Sequence, residues 1–185
     1  MAPSKSFGPD EIHAAIEQLA AAIMERHPSG SRLLLLGIAN GGIELARRVG
    51  ALIATQRTKR ELVVGTVDIS FHRDDIGRNP IPKELAPTHI PVDVHGATVI
   101  LVDDVLFSGR TVKAALDEIF DHGRPTKVEL AILIDRGGRR LPFAADYCGL
   151  RIDADAAEKV VVRLDPENHA NDTVLVRPAT RQTAL

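Results

Sequence analysis

A run of apolar residues that stops abruptly on two carboxylates constrains this chain more than any other feature: Val99-Ile-Leu-Val-Asp-Asp-Val-Leu-Phe-Ser-Gly-Arg-Thr111. Continuous Val, Ile and Leu over a strand's length predicts a strand covered on both faces, as in a parallel sheet. Burial alone does not explain Asp103 and Asp104 at its carboxyl end. Side by side in a covered position, two carboxylates repel and need partners. The small-residue loop that follows, with Ser108, Gly109 and Thr111, opens a helical pattern. Free amides and the helix dipole make such a helix start a place for an anion. Open α/β sheets bind their ligands at the carboxyl ends of strands. The stretch therefore offers carboxylates for hydroxyls or a metal, and amides and hydroxyls for a phosphate.

The other elements are consistent with an α/β sheet. Ile12, Ile16, Leu19, Ala20 and Ile23 recur at helical spacing between Asp10 and His27, and Pro28-Ser-Gly30 ends that helix. Leu33-Leu-Leu-Leu-Gly37 reads as a short buried strand. It runs into Ile38-Ala-Asn-Gly-Gly42 and a helix with Ile43, Ala46, Val49 and Ile53 on one side. That loop is either a tight turn or a second anion site. A strand is expected within Glu61–Phe71. About two dozen residues, His72 to Gly96, follow with four prolines and charges of both signs. A stretch that long without structure is a solvated loop or a functional one. In the functional reading, the basic residue Arg73 closes over a phosphorylated ligand. After the central stretch, a helix to about His122 and a strand over Lys127–Ile134 are expected. Val160–Leu164 and Thr173–Val176, separated by Asp165-Pro-Glu-Asn168, predict an antiparallel hairpin at the sheet edge. The order gives a mostly parallel sheet with helices on both faces.

Bulk properties narrow the function. With 185 residues, 44% of them hydrophobic, one domain spanning 1–185 with a flexible loop near 72–96 is expected. A net charge of -2 gives no overall pull toward nucleic acid. Aromatic content of 3% argues against single-strand binders that stack bases on aromatic side chains. The lone cysteine, Cys148, with no apolar leader or membrane-length run, leads us to expect a cytoplasmic protein without a membrane partner.

Rival acid-pair and phosphate motifs fit poorly. Phospho-acceptor receiver domains carry their acids on the first strand and need a further acceptor Asp; they give Ser108 to Thr111 no role. A Walker A spacing and a G-x-G-x-x-G are both absent. Val99 to Thr111 instead resembles the phosphoribosyl pyrophosphate (PRPP) signature of type I phosphoribosyltransferases. The resemblance implies that Asp103 and Asp104 hold the ribose hydroxyls, directly or through Mg²⁺. It gives the 5′-phosphate to Val105, Leu106, Phe107, Ser108, Gly109, Arg110 and Thr111, and the pyrophosphate to Ala39, Asn40, Gly41 and Gly42. His72 to Gly96 becomes a hood carrying Arg73.

Val67-Asp-Ile-Ser-Phe-His-Arg-Asp-Asp75, Gly123-Arg-Pro125, Leu133-Ile-Asp-Arg-Gly137 and Leu141-Pro-Phe-Ala-Ala-Asp-Tyr147 extend the likeness over nearly the whole chain, and together they resemble the PyrR family. That implies the type I phosphoribosyltransferase fold, a mostly parallel central sheet flanked by helices with a small hood. It also implies uracil phosphoribosyltransferase activity with Mg²⁺, a uracil pocket beside Asp135, Arg136 and Gly137, pyrimidine-dependent control of the pyr operon, and a dimer or larger assembly. Uracil, PRPP, UMP and UTP are the expected ligands. The alternative is a UMP/PRPP-sensing attenuation regulator with little catalysis, and the nearest enzymatic rivals are hypoxanthine/guanine and orotate transferases. Three departures bear on leader-RNA binding. The family's RNA binders carry Thr-Arg where Glu17-Gln18 stand, His where Gly138 stands, and Arg where Ala144 stands. Arg139, Arg140 and Arg151 remain, so weak RNA binding is expected. In the pyrophosphate loop, Ala39-Asn40 occupy places where the family often has a basic residue or Thr, which predicts reduced PRPP affinity or turnover.

Overall fold

The computed structural model describes residues 6–27, 32–56, 62–70, 72 and 87–179. Five parallel strands form the central sheet: β2 (Leu33–Ile38), β3 (Leu62–Val67), β4 (Thr98–Leu106), β5 (Lys127–Asp135) and β6 (Tyr147–Arg151), in the order β3-β2-β4-β5-β6. Helices α1 (Pro9–Arg26) and α2 (Gly41–Gln56) cover one face and α3 (Arg110–His122) the other.

The continuous apolar runs follow from this double cover. In β2, Leu33 and Leu35 join the cluster with Ile16, Leu19 and Val49, while Leu34, Leu36 and Ile38 join the cluster with Val112, Ala115 and Ile119. In β4, Ile100 and Val102 face the first cluster, and Val99 and Leu101 the second. Each such fully buried Leu or Ile contributes roughly 1.5–3 kcal/mol. The side-chain alternation of a strand sends the two acids to opposite faces. Asp103 continues the side of Val99 and Leu101, and Asp104 the side of Ile100 and Val102.

Strand order fixes where a ligand can enter. From β2 the chain crosses by α2 to β3 on one side, and from β4 by α3 to β5 on the other. The carboxyl ends of adjacent β2 and β4 are therefore the switch point of the sheet, where the connections part and a crevice opens.

The tail departs from expectation. β7 (Glu158–Arg163) and β8 (Thr173–Pro178) do pair antiparallel, with Asp165 accepting from the amides of Glu167 and Asn168 in the turn. They do not extend the central sheet. Together with β1 (Ser6–Phe7) they form a second, three-stranded sheet in the order β1-β8-β7. A buried ion pair holds it down: Arg48 of α2 bonds Asp172 at 2.5 Å and the Asp165 carbonyl at 2.6 Å. The edge of the central sheet belongs to β6 instead, a half-buried strand with no apolar run to announce it. Of the 72–96 segment, His72 and 87–96 are described; His89 pairs with Thr66 at the free edge of β3 through two 2.9 Å hydrogen bonds. Arg73 lies outside the described residues. No described helix is long and apolar enough to cross a membrane.

Candidate active site

At the switch point the two glycine-bearing loops and the acid pair meet around one cavity of about 390 Å³. Its walls include Ala39, Asn40, Gly41, Asp103, Asp104, Val105, Ser108, Arg110 and Thr111, with Ile69 closing a side. Residues more than sixty positions apart in sequence thus share a site.

The loop after β2 is more than a turn. A Cβ on Gly41 would stand 2.4 Å from the Asp104 carboxyl, and one on Gly42 2.0 Å from the Val102 carbonyl oxygen. Only glycines let the N-terminus of α2 lie this close to the end of β4. The loop is fixed to β3 by the Ala39 amide, 2.9 Å from the Val67 carbonyl, and its Ala39–Asn40 peptide is cis.

Asp103 is buried and accepts a hydrogen bond from the Asp104 amide at 3.0 Å. Burial drives its pKa well above the ordinary carboxylate value, and the neighbouring charge of Asp104 adds to the rise. Burial raises Asp104 as well, against hydrogen bonds from Asp103 and from the backbone and the positive charge of Lys159. Among the described residues no group of three or more His, Cys, Asp or Glu is placed to bind a metal. Mg²⁺ suits such a donor set, because it is commonly held by one or two carboxylates with substrate oxygens and water supplying the rest.

The expected phosphate loop divides. Val105, Ser108, Arg110 and Thr111 line the cavity, but Leu106 is buried in the core and Phe107 points elsewhere, beneath the Arg136 guanidinium at 4.2 Å. Gly109, in the left-handed conformation at φ 91°, turns the chain into α3; it offers no side-chain cap itself, and the Arg110 amide donates to the Ser108 hydroxyl at 3.4 Å. A helix start at this place favours an anion.

Asp135, Arg136 and Gly137 do not line that cavity. Asp135 accepts from the Gly137 amide and pairs with Arg139 at 2.6 Å. The Arg136 side chain is buried and donates to the Glu158 and Asp155 carbonyls, pinning β7 to the end of β5. Arg136 nonetheless helps bound a second cavity of about 390 Å³, between Asp104, Val105 and Phe107 on one side and Lys159 to Val162 of β7 on the other. This largely aliphatic slot shares Asp104 and Val105 with the first cavity. Sequence reading missed Lys159 and β7 as parts of the site, because Lys159-Val-Val-Val-Arg163 carries only a strand signal.

Comparison with known proteins gives the family and the fold. Residues 8–166 match the phosphoribosyl transferase domain family. Proteins named bifunctional protein PyrR are similar over most of the chain. That of Chloroflexus aurantiacus is 44% identical over 91% of this chain and 92% of its own. That of Streptomyces coelicolor is 46% identical over 91% and 86%. The chain belongs to the PyrR family. Solved structures agree on the fold. A hypoxanthine-guanine phosphoribosyltransferase from Bacillus anthracis superposes with a TM-score of 0.62 at 19% identity, over 83% of this chain and 86% of that one. The hypoxanthine phosphoribosyltransferase of Trypanosoma cruzi gives 0.63 at 21%, over 94% and 95%.

Where this PyrR-family chain departs from the RNA binders, the structure gives a local account. Gly138 has φ 73°, and a Cβ there would lie 2.6 Å from the Phe107 ring, so the Phe107–Arg136 stack leaves no space for a histidine. Glu17, Gln18 and Ala144 are exposed. Arg139 is not available to a ligand: it donates to the carbonyls of Leu106, Phe107, Gly137 and Phe143.

Proposed function

We propose that the protein is a uracil phosphoribosyltransferase, forming UMP and pyrophosphate from uracil and PRPP. The carrying observation is the acid pair, buried Asp103 and half-buried Asp104, set in one cavity between the α2 N-terminus and the start of α3. In this reading Asp103 and Asp104 orient the ribose hydroxyls. The 105–111 amides, with Ser108 and Thr111, take the 5′-phosphate, and the 39–42 loop takes the pyrophosphate. The electron pair of the uracil N1–H bond forms the new bond to C1, the proton passes to water or a pyrophosphate oxygen, and the C1–O bond breaks with its electrons leaving on pyrophosphate. Alignment and fixed charge carry the rate, since little covalent work falls to the protein. Mg²⁺, when bound at the carboxylates, supplies neutralisation of the departing pyrophosphate. The slot beside β7 suits a flat pyrimidine, and Lys159 offers an ammonium to a base carbonyl oxygen.

Incubation with Mg²⁺, PRPP and a panel of labelled bases tests the assignment. UMP should form, with hypoxanthine, guanine and orotate turned over at least tenfold more slowly. A preference for a purine would overturn the uracil reading, and no nucleotide from any base would leave a ligand-sensing regulator in its place. For leader RNA, the absence of basic residues at 17, 18, 138 and 144 favours weak binding, because affinity and its salt dependence both grow by about one released counterion for each phosphate that a cation neutralises. A filter-binding titration should give no saturation in the low micromolar range near physiological salt. Tight, salt-sensitive binding would refute it.

A further inference from the structure

Away from the acid pair, one carboxylate on α3 collects hydrogen bonds from two stretches distant from it in sequence. Half-buried Glu118 accepts from the Thr88 hydroxyl at 2.7 Å and lies 2.9 Å from His72 Nε2, with His122 of its own helix at 3.2 Å. Burial opposes its charge, but hydrogen bonds from Thr88, His122 and His72 outweigh that and hold its carboxyl below the ordinary range. Exposed Asp121 stands 3.6 Å from the His72 imidazole. This cluster has no part in the chemistry above.

Its partners lead to a wall of the acid-pair cavity. The His72 amide donates to the Ile69 carbonyl at 3.0 Å, and Ile69 closes a side of that cavity. The Thr88 hydroxyl oxygen accepts from the Asp68 amide at 3.0 Å, and the Asp68 carboxylate in turn accepts from the Ser70 amide and hydroxyl. One residue earlier, the Val67 carbonyl accepts from the Ala39 amide of the 39–42 loop. In the other direction, α3 runs back about two turns from Glu118 to Thr111 and the 105–111 loop. Glu118 thus ties the helix that follows one anion loop to the strand end that anchors the other.

We propose that Glu118 is a positioning residue, a brace that fixes the spacing between the 105–111 loop and the 39–42 loop. The proposal rests on the assignment of those loops to the 5′-phosphate and the pyrophosphate of PRPP. PRPP carries both groups on one ribose, so it must satisfy both loops at once. A ligand held at two points gains affinity when their separation is fixed beforehand, because less ordering is left to the binding step. UMP has a single phosphate and engages only the first loop. The brace therefore acts on PRPP and leaves UMP almost untouched, whereas a residue that merely kept the fold together would serve both ligands equally.

Calorimetric titration of full-length Glu118→Ala with PRPP and with UMP, each in the presence of Mg²⁺, tests this, with a melting curve to verify folding. Kd for PRPP should rise fivefold or more while that for UMP stays within twofold. In steady-state assays KM for PRPP should rise and KM for uracil should hold. Thr88→Val is a milder break, which removes the hydroxyl between Glu118 and Asp68 and keeps the carboxylate. It should show the same selective loss for PRPP, and it decides the matter should Glu118→Ala fold poorly. Unchanged PRPP affinity in a folded variant, or equal loss for the two ligands, overturns the brace. Failure of the unaltered protein to bind either ligand would instead strike the loop assignments.

Discussion

Gly41→Ala should leave the protein folded and remove most of its transferase activity. The added methyl would stand 2.4 Å from the Asp104 carboxyl. What it meets is the far end of a side chain, so Asp104 can swing aside while the backbone stays in place. Gly41 begins α2 without a positive φ, and alanine in a helix is favoured over glycine by up to about 1 kcal/mol. The melting temperature should hold or rise slightly. Catalysis should not survive so well, because displacing a positioned group by about 1 Å can cost 10²-fold. We expect kcat/KM for UMP formation to fall by about that factor or more. Gly42→Ala gives the contrast: its methyl would lie 2.0 Å from the Val102 carbonyl oxygen, a backbone atom of the central strand. That variant should lose stability together with activity. Full activity in folded Gly41→Ala would show that Asp104 has no part at the reacting centre.

The site's centre was legible because it breaks a rule the rest of the strand obeys. Val99 to Val102 predicted burial on both faces, and Asp103 sits buried and Asp104 half-buried at the end of that run, at a cost that function explains. The β2 and β4 runs and the loops at their ends could be read for the same reason: a doubly covered strand leaves a continuous apolar signature. What could not be read lacked any such signature. β6 is half-buried and contains Gly149, so its sequence shows neither an apolar run nor clean alternation. β1 is two residues long and exists through its pairing with β8. The guanidinium groups of Arg136 and Arg139 bond backbone carbonyls, and that of Arg139 also the Asp135 carboxylate. Side-chain identity could not tell which carbonyls would come within reach. Lys159 reaches the site only because the second sheet folds back over the first, and no local pattern encodes that return.

The opposite end of the sheet carries the second large expected effect, in a group that looked like an ordinary strand residue. Glu129, within the β5 run Lys127–Asp135, is buried with its carboxylate 2.6 Å from both His27 Nε2 and the Tyr147 hydroxyl, and 2.5 Å from the Lys127 ammonium. Arg26 approaches at 3.3 Å and lies over the Tyr147 ring. One carboxylate thereby ties the end of α1 to the starts of β5 and β6. Burial alone would push its pKa up; hydrogen bonds from Lys127, Tyr147 and His27 outweigh that and hold it at about 2, against 4.5 unperturbed. A carboxyl whose folded pKa is depressed contributes stability that is complete above its unfolded pKa and lost as pH falls toward the folded one. Here the window runs from about pH 5 down to about pH 2, and the difference is worth about 3 kcal/mol. Glu129→Gln removes the charge and leaves its buried partners unmatched, so it should destabilise the protein at pH 7 by about 3 kcal/mol or more. Urea unfolding at stepped pH measures both quantities. The variant should be weaker at neutral pH, and the gap to the unaltered protein should close on acidification. Parallel curves across pH 5 to 3 would mean that Glu129 is not ionised in the fold, and that the hydrogen-bonded cluster at the ends of α1, β5 and β6 is held by neutral contacts.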